Sequence, residues 1–595
     1  MRGALLRALV PAVLGGALLA IYCRSELAFL PNALGRWAAD YALHFPNLLV
    51  GIFWRLNNGL DEVPWFDPAL CGGVPYHADP NVAFYSVPQF LAFWLPIGEA
   101  IRATVVIFAA AGFFGAYGLM RRAFEASQAA AAACAGLFLF NGFFAARMLA
   151  GHLTFHAFML APVLVCAVLP NGVRAPRGWT SLAARAGVGA LALAYMFQSG
   201  MVHGIPPVAL AVLALMTMHA LRYGAQWRPP AIFLAGALGA MALSASKLSA
   251  EMAWLAQFPR SLYPLPGIAD PLMAAFATPL TLMGYAPEKS NWLVNAAWLQ
   301  DRHEWEYGVS VAPFVLFLLA SMAFIRRAGA KHFAPARVGG ALLLAALLAI
   351  PSLLNFYTPV WNAILKSLPY LSSSSSLLRF FSADILPACV GAGLAVDWIA
   401  RSARWRWVLA GGALAILLAQ YGATSRAYYA DGPYDPARVE AASASARVGG
   451  IVPPITRVEE GGEGPADGAS RASCYQPLFG YRLEAFPRGA LHEGPINPGA
   501  GATLNMKNPA CYVFPAENAC APGDQFGRDD LARASAFASY RPIAFERSTR
   551  QEWADAINAA ALVVFTVGGL VLSGVGAWRG RRRLTRWPRD ETAAL

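Results

Sequence analysis

The sequence predicts an all-α polytopic membrane protein, with about twelve membrane-spanning helices and a small β-rich or mixed domain before the last helix. Charged residues make up only 13% of the 595 residues, against about 25% in soluble proteins. Hydrophobic residues make up 57%, and many of them form runs near the length of about 20 residues that crosses a bilayer. Basic residues collect in short clusters between these runs, as they do in cytoplasmic loops.

The first apolar run follows the basic start MRGALLR, so the N-terminus is expected in the cytoplasm. The alternative is a cleaved signal peptide, but the run is longer than the apolar core of a typical one. In chain order, the predicted spans are 6–30, 101–119, 129–143, 153–169, 182–197, 205–221, 230–248, 309–325, 339–354, 380–400, 408–421 and 554–578. This count places both termini and the Arg-rich short loops in the cytoplasm. The Ala and Arg content indicates a GC-rich bacterium, and hence its inner (cytoplasmic) membrane.

The chain divides into three predicted parts. Residues 1–422 form the transmembrane domain, whose first external loop, 31–100, combines acids, histidines and tryptophans. Within that loop, residues 81–95 suit an interfacial or re-entrant helix. Residues 423–552 are polar and long enough for a small extracytoplasmic domain. Residues 553–595 hold the last span and a basic tail, and because the net charge of +12 sits in such clusters, nucleic acid is not an expected partner.

Four cysteines lie in polar regions that the topology places outside the cytoplasm, where disulfides persist: Cys71, Cys474, Cys511 and Cys520. Four cysteines allow three pairings. The simplest joins Cys511 to Cys520 and leaves Cys71 and Cys474 to tie the first loop to the later domain, but the sequence does not decide between them. A zinc site is the weaker interpretation, because no CxxC or clustered Cys/His spacing is present.

Asp40 is the main candidate for chemistry in the first loop. It lies just beyond the first span, and charges at membrane depth are costly and often functional. In a helix, His44 would share its face. The alternative is a solvated acid that anchors the end of the span at the interface.

A series of short motifs accompanies Asp40 along the first 400 residues. In order, they are Asp40, His44 and Pro46, then Pro64-Trp65, Gly72-Gly73-Val74-Pro75, Tyr85-Ser86-Val87-Pro88, Gly151-His152, Pro259-Arg260, Glu306-Tyr307-Gly308 and Leu378-Arg379-Phe380. This order resembles the GT-C superfamily of polyprenyl-phosphate-sugar-dependent glycosyltransferases, and most closely the YfhO-type bacterial membrane proteins. The domain after residue 423 is not covered by the resemblance.

The resemblance implies a function for the first loop. In that family the acid of the first external loop acts as general base on the acceptor hydroxyl, which gives that role to Asp40. The donor would be a polyprenyl-phosphate-linked sugar, and the acceptor an extracytoplasmic glycan, lipid or protein. Direct displacement predicts inversion at the anomeric carbon. A divalent metal is possible, since members of the superfamily often carry paired acids in early loops, although no DxD motif is present here.

Other residues are candidates for substrate contact. Arg379 opens a span at headgroup depth and could fork onto phosphate oxygens, although an interfacial arginine there could also simply snorkel. The further candidates for substrate or lipid-phosphate binding are His44, His152, Arg260, His303 and Glu306. Asp61, Glu62 and Asp79 are possible supporting acids, or ordinary solvated loop residues. His152 and His156 could form a metal pair or a packed polar pair.

Two other classes of function compete with the enzyme. A transporter or flippase of lipid-linked sugars predicts repeated halves with broken helices near the middle of the membrane. The sequence has no internal repeat, and its acids cluster toward the outer interface, which favours the enzyme. A non-catalytic assembly protein predicts that Asp40→Asn leaves cellular function intact.

Overall fold

The computed structural model describes residues 2–584, apart from 32–35, 38–39, 173–177, 258–263, 285–292, 296–301, 328–334, 370, 373, 375, 430–431, 434, 451–464, 466–467, 473–490 and 498–500. About 70% of the chain is helical, and the described strands form four antiparallel two-stranded pairs. The all-α class is therefore confirmed.

The helices follow one another along most of the chain. They are α1 (Arg2–Glu26), α2 (Tyr41–Asn58), α3 (Val87–Ala92), α4 (Ile97–Arg122), α5 (Gln128–Leu139), α6 (Gly142–Ala150), α7 (Ala161–Val168), α8 (Trp179–Gln198), α9 (Ile205–Tyr223), α10 (Arg228–Leu243), α11 (Ala245–Gln257), α12 (Pro271–Leu282), α13 (Ala312–Arg327), α14 (Pro335–Leu354), α15 (Pro359–Ser367), α16 (Ile385–Ile399), α17 (Ala403–Ala423), α18 (Pro436–Arg447), α19 (Ala510–Val513), α20 (Leu531–Ala538) and α21 (Thr549–Leu584). Short 3₁₀ helices cover Leu153–Leu160, Val202–Gly204, Arg302–Glu304, Leu378–Asp384, Ala427–Tyr429 and Arg528–Asp530.

The strands are short and lie mainly in the connections. They are β1 (Arg36–Trp37), β2 (Phe66–Asp67), β3 (Val74–Pro75), β4 (Gly267–Ile268), β5 (Leu293–Val294), β6 (Gly432–Pro433), β7 (Thr503–Lys507) and β8 (Gln525–Gly527). Strand β1 pairs with β6, β2 with β3, β4 with β5 and β7 with β8. The β1–β6 pair joins the first loop to the chain beyond residue 423, so these two predicted regions are in contact.

Among the described residues, eight segments are long and apolar enough to cross a membrane, and each matches one of the twelve predicted spans. They are Leu9–Glu26, Ile97–Arg122, Gln128–Ala150, Trp179–Gln198, Val202–Tyr223, Pro335–Leu354, Leu378–Ile399 and Thr549–Leu572. A ninth span is possible if α10 and α11, which meet at an angle of 71°, are counted together.

The count of twelve spans is not confirmed. Two of the predicted spans correspond to shorter apolar helices, Leu153–Val168 and Ala312–Arg326. A third predicted span, 408–421, lies within α17, which is not among the eight. The sidedness of the loops stays a prediction.

Helix α5 occupies the centre of the bundle. Every residue from Ala129 to Leu139 is buried, and α5 packs against α4, α16 and α17. Small side chains allow this close packing, as is common between membrane helices. A Cβ on Gly393 of α16, for example, would lie 2.7 Å from the carbonyl oxygen of Ala130.

The predicted first external loop contains a helix of its own. Helix α2 is 18 residues long and largely buried, which the polar residues of this stretch did not indicate. The predicted helix at 81–95 is shorter than expected, since α3 covers only Val87–Ala92. The loop is therefore a folded part of the bundle that holds its residues in fixed positions.

The described parts of 423–552 combine helices α18, α19 and α20 with the β7–β8 pair, so they are mixed in structure. A second hydrophobic cluster joins this region to the first loop, with Trp65 and Phe66 packed beside Phe514 and Phe537. The location of this region outside the cytoplasm stays a prediction.

The cysteines follow the simplest predicted pairing where the structure describes them. Cys511 and Cys520 form a disulfide, and Cys71 is also disulfide-bonded. Cys474, its predicted partner, lies outside the described residues. The four cysteines of apolar segments are free, as expected for small hydrophobic side chains: Cys23, Cys134, Cys166 and Cys389.

Candidate functional site

Asp40 is held at the start of α2. The hydroxyl of the next residue, Tyr41, donates a hydrogen bond to the carbonyl oxygen of Met148, at 2.6 Å. An aspartate at this position usually accepts a hydrogen bond from the first helical turn, but the Asp40 side chain does not cap α2. It turns toward His152 instead. The carboxylate therefore faces His152 and does not cap α2.

Gly151 allows the start of α2 to approach helix α6. It ends α6 in the left-handed conformation, with φ 92° and ψ 3°. A Cβ at this position would lie 2.6 Å from the backbone nitrogen of Tyr41 and 2.9 Å from the carbonyl carbon of Asp40. Glycine is needed here both for the backbone conformation and for the space.

His152 joins Asp40 to an arginine. Its Nε2 contacts the Asp40 carboxylate, and its Nδ1 lies 2.8 Å from Nη1 of Arg147. A guanidinium can only donate hydrogen bonds, so Nδ1 must be the acceptor. The proton of the neutral imidazole is then on Nε2, which donates to Asp40. The contacts thus fix the tautomer of His152.

Arg147 is the buried centre of the cluster. Its side chain is 0% exposed and forms a two-pronged pair with Glu304, with N–O distances of 2.8 and 2.9 Å. Two more side chains approach the same carboxylate, His303 at 3.5 Å and Arg379 at 3.8 Å. The guanidiniums of Arg147 and Arg379 both lie near the ring of Phe155, 5.5 and 5.3 Å from its centre. The cluster therefore links Asp40 to Arg379 through a continuous set of contacts.

The protonation states follow from burial and charge. Burial alone would raise the pKa of Asp40, but attraction to His152, their hydrogen bond, and attraction to His303 and His44 lower it to about 2. Burial lowers the pKa of His152 to about 4, although Asp40 opposes this shift. At neutral pH the acid is therefore ionised and the imidazole is neutral, in agreement with the tautomer. Burial opposes ionisation of Glu304 too, but Arg147 holds its pKa well below the usual value.

Three of these residues form a possible metal-binding group. One ligand atom from each of Asp40, His152 and His303 lies within 4.8 Å of the others. A metal on Nε2 of His152 would need its lone pair, while Nδ1 already accepts from Arg147. A neutral imidazole cannot offer both nitrogens in this way. The arrangement fits a hydrogen-bonded cluster, and a metal on His152 requires Arg147 to move away.

The structure brings together four of the predicted site residues. Asp40, His152 and His303 lie side by side, with the two imidazole centres 4.8 Å apart, and Arg379 approaches them through Glu304. His44 is buried on α2, and burial lowers its pKa to about 4. It interacts with Asp40 electrostatically.

Other predicted residues lie elsewhere. Glu306 pairs with Arg302 and accepts a hydrogen bond from Tyr429 at 2.7 Å, so it belongs to a separate cavity. Asp61 and Glu62 are exposed and line a different cleft, beside the region after residue 500.

Asp79 is buried and accepts a hydrogen bond from the backbone nitrogen of Asn81 at 2.8 Å. Asp61 and Glu62 line a cleft whose lining residues do not include Asp40. Arg260 lies outside the described residues.

His156 does not pair with His152. Its two ring nitrogens contact the carbonyl oxygen of Leu153 and the hydroxyl of Tyr195, at 2.6 and 2.7 Å. The packed polar arrangement is the one observed.

The sequence did not identify Arg147 or Glu304 as site residues. The available signals were a lone arginine in an otherwise apolar stretch and its position five residues before His152. Glu304 lies between His303 and Glu306, the two residues that were chosen as candidates in this part of the chain. The two residues are 157 positions apart, so no local pattern connects them.

The chain is helical, has eight segments apolar enough to cross a membrane within its described residues, and holds a cluster of charged and imidazole groups at the start of α2. No protein-family model matches the chain, and no curated protein matches it either. The resemblance to GT-C glycosyltransferases therefore rests on the residues themselves.

Proposed function

We propose that this protein is an inverting membrane glycosyltransferase of the GT-C type, with Asp40 as general base. The observation that carries the proposal is the state of the Asp40 carboxylate. It is ionised and 42% exposed, and His152 holds only its Oδ2. Its Oδ1 has no hydrogen-bond partner among the described residues, so one oxygen is oriented and the other is open to an acceptor hydroxyl.

The reaction assigns a separate task to each group. Oδ1 of Asp40 takes the proton of the acceptor hydroxyl as the new C–O bond forms, and the bond from the anomeric carbon to the phosphate oxygen breaks with its electron pair. A carboxylate with a pKa near 2 is a weak base, so the proton moves late, once the attacking oxygen has become acidic. His152 acts as a positioning residue, because its one ring N–H, on Nε2, donates to Asp40.

Arg379 is the candidate partner of the leaving phosphate. At 3.8 Å, its contact with Glu304 is long for a hydrogen-bonded ion pair. Its Nε is buried and has no hydrogen-bond partner in the part of the chain that the structure describes. A guanidinium with unused donors can bind phosphate oxygens in a two-pronged manner and stabilise the charge that develops there.

A neighbouring apolar cavity could hold part of the isoprenoid tail. It encloses about 780 Å³ and is lined mainly by α9, α12, α13, α14 and α16. The 3₁₀ helix Leu378–Asp384 carries Arg379 near its start, and its last residue, Asp384, lines the cavity. The proposed phosphate and tail sites thus lie along one short element.

A transporter of lipid-linked sugars is the second candidate, and one observation favours it. Helices α10 and α11 meet at 71° and form a broken apolar segment, which is a feature of transporter sites. Just after the break, Lys247 and Glu251 are buried and 4.0 Å apart. Lys247 also donates to the carbonyl oxygen of Val82, which gives this pair a structural role in holding the first loop.

The decisive experiment replaces Asp40 by Asn in cells that lack the wild-type chain. Transfer of labelled sugar from polyprenyl-phosphate donors to envelope material should fall by about 10²–10⁴-fold, the usual contribution of a general base. Asp529→Asn is the matched control, because Asp529 is an exposed acid outside the site. Both proteins should reach the membrane in equal amounts.

The outcomes separate the three classes of function. Transfer near the wild-type level in Asp40→Asn refutes the base assignment. Loss of labelled product together with loss of the movement of lipid-linked sugar that the wild-type protein supports across vesicles would favour the transporter. An assembly protein should keep its cellular function in both variants.

A further inference from the structure

A second polar cavity lies on the other side of the 302–306 segment from Asp40. Its volume is about 100 Å³, against about 780 Å³ for the apolar cavity on the same measure. Side chains from α1, α6 and α17 contribute to its walls, together with the segments around residues 302–310 and 424–429. We call it the twin-glutamate cavity, after Glu26 and Glu306.

The two glutamates have the same kinds of partner. Glu26 contacts the guanidinium of Arg426 and the hydroxyl of Tyr421. Glu306 contacts Arg302, and it accepts a hydrogen bond from the hydroxyl of Tyr429 at 2.7 Å. Each acid is therefore neutralised by one arginine and bonded by one tyrosine.

Glu26 is not fully satisfied by these partners. The residue is only 1% exposed, and its Oε2 is buried without a hydrogen-bond partner among the described residues. Nearly all buried polar atoms in proteins have a partner, and each exception needs an explanation. Because Glu26 lines the cavity, the missing donor can come from a molecule bound there.

The walls of the cavity are suited to a small ring. Gly142, Ala145 and Ala146 of α6 line it with small side chains, and Phe140 and Leu149 add apolar surface. A few polar groups in a mostly preformed apolar pocket are typical of small-molecule sites.

Ser310 adds a hydroxyl at the wall and has a φ of 129°, a strained conformation for a serine. Such strain is common at sites that bind ligands.

The charges of the cavity favour a neutral ligand. Two carboxylates face two guanidiniums, so an added ion would leave a buried charge without a counterion. A ring with several hydroxyls can donate to the free oxygen of Glu26 and accept from Ser310 or unused arginine N–H groups. It can also place its C–H face on Phe140 or Leu149.

We propose that the twin-glutamate cavity binds a sugar unit. The identity of the substrate that carries this sugar rests on the proposed transfer function, but the binding of a sugar does not. The 302–306 segment sends His303 and Glu304 toward Asp40, and Arg302 and Glu306 toward the cavity. A sugar bound here would share the 302–306 segment with the Asp40 cluster.

Binding can be measured without any reaction. Saturation-transfer NMR on the purified full-length protein, with methyl glycosides of glucose, mannose and arabinose as probes, should give ring-proton signals for at least one of them. Ala145→Leu adds bulk inside the cavity and leaves both ion pairs in place, so it should weaken that binding by about tenfold or more. Ala341→Leu, at an exposed position of α14, is the matched control.

A second variant tests the role of Glu26. Glu26→Gln replaces the unpartnered oxygen by a donor and should also weaken binding. If this variant is poorly folded, Ala145→Leu alone still decides. The absence of signals in the wild type, or equal signals in Ala145→Leu, would overturn the proposal and indicate that water alone fills the cavity.

Competition identifies the source of the sugar. Displacement of the probe by a polyprenyl-phosphate sugar, but not by the sugar-free lipid phosphate, assigns the cavity to the donor. Displacement by neither assigns it to the acceptor. Asp40→Asn should keep probe binding, so a normally active Asp40→Asn protein that still binds glycosides would reject the proposed base and leave the sugar site standing.

Discussion

Gly151→Ala is the sharpest test of how Asp40 is placed. The new Cβ would lie 2.6 Å from the backbone nitrogen of Tyr41, against the 3.4 Å at which ordinary contacts begin. The start of α2 must then move by about 0.8 Å, and a displacement of about 1 Å in a catalytic group can cost about 100-fold in rate. We therefore expect a roughly 100-fold loss in kcat/KM, equal to about 2.7 kcal/mol.

The control must share the backbone cost without the displacement. Gly449 also has a positive φ, 86°, and a Cβ there would meet nothing within 4 Å. Both alanines add about 1–2 kcal/mol of left-handed strain, so both should lower the melting temperature. Only Gly151→Ala should lose sugar transfer in nanodiscs. Equal transfer rates in the two variants would show that Asp40 does not need its observed position.

Two further predictions concern the buried cluster. Glu304→Gln leaves the fully buried Arg147 without its counterion and should lower the free energy of unfolding by about 3–5 kcal/mol. Glu99→Gln, in the exposed Glu99–Arg102 pair, should lower it by less than about 1 kcal/mol. Similar losses for the two variants in chemical denaturation would argue against the Arg147–Glu304 pair. Because His44 and His152 take up protons near pH 6.5 when unfolded but only near pH 4 when folded, stability should fall as pH drops through that window, by about 3 kcal/mol for each histidine. Asp40 adds its own loss only below about pH 4, as pH falls toward its pKa of about 2. His152→Gln should make the melting temperature less dependent on pH between 6.5 and 4, and an unchanged slope would mean that the imidazole is already charged in the folded protein.

The parts of the site that the sequence could predict were those with an unusual place in the chain. Asp40 follows the first span, and Arg379 opens a late one, so both stood out against apolar surroundings. Arg147 also interrupts an apolar run, but its meaning depends on Glu304, which only the packing of α6 beside the 3₁₀ helix Arg302–Glu304 reveals. A long-range ion pair leaves no periodic trace in the sequence.

The membrane-spanning helices, like the site residues, were predicted only in part. Long helices such as α4 and α9 have a continuous apolar signal and were found near their observed bounds. The apolar signal is ambiguous where a segment is short or bent, as in α13 or the α10–α11 pair, because hydropathy reports how apolar a segment is and not whether its helix bends. Helix α2 was missed for the opposite reason. It is buried by neighbouring helices, so its polar residues do not exclude a place in the core.

The segment DRHEWEYG shows what the three-dimensional structure adds to such motifs. The sequence suggested substrate contact from His303 or Glu306. In the structure Arg302 and Glu306 pair across four positions and face the twin-glutamate cavity, whereas Glu304 turns to Arg147. The segment 302–306 therefore contributes side chains both to the Asp40 cluster and to the twin-glutamate cavity. A substitution at Glu304 should disturb Asp40 through Arg147 and His152, and one at Glu306 should disturb the cavity, which makes the two effects separable by experiment.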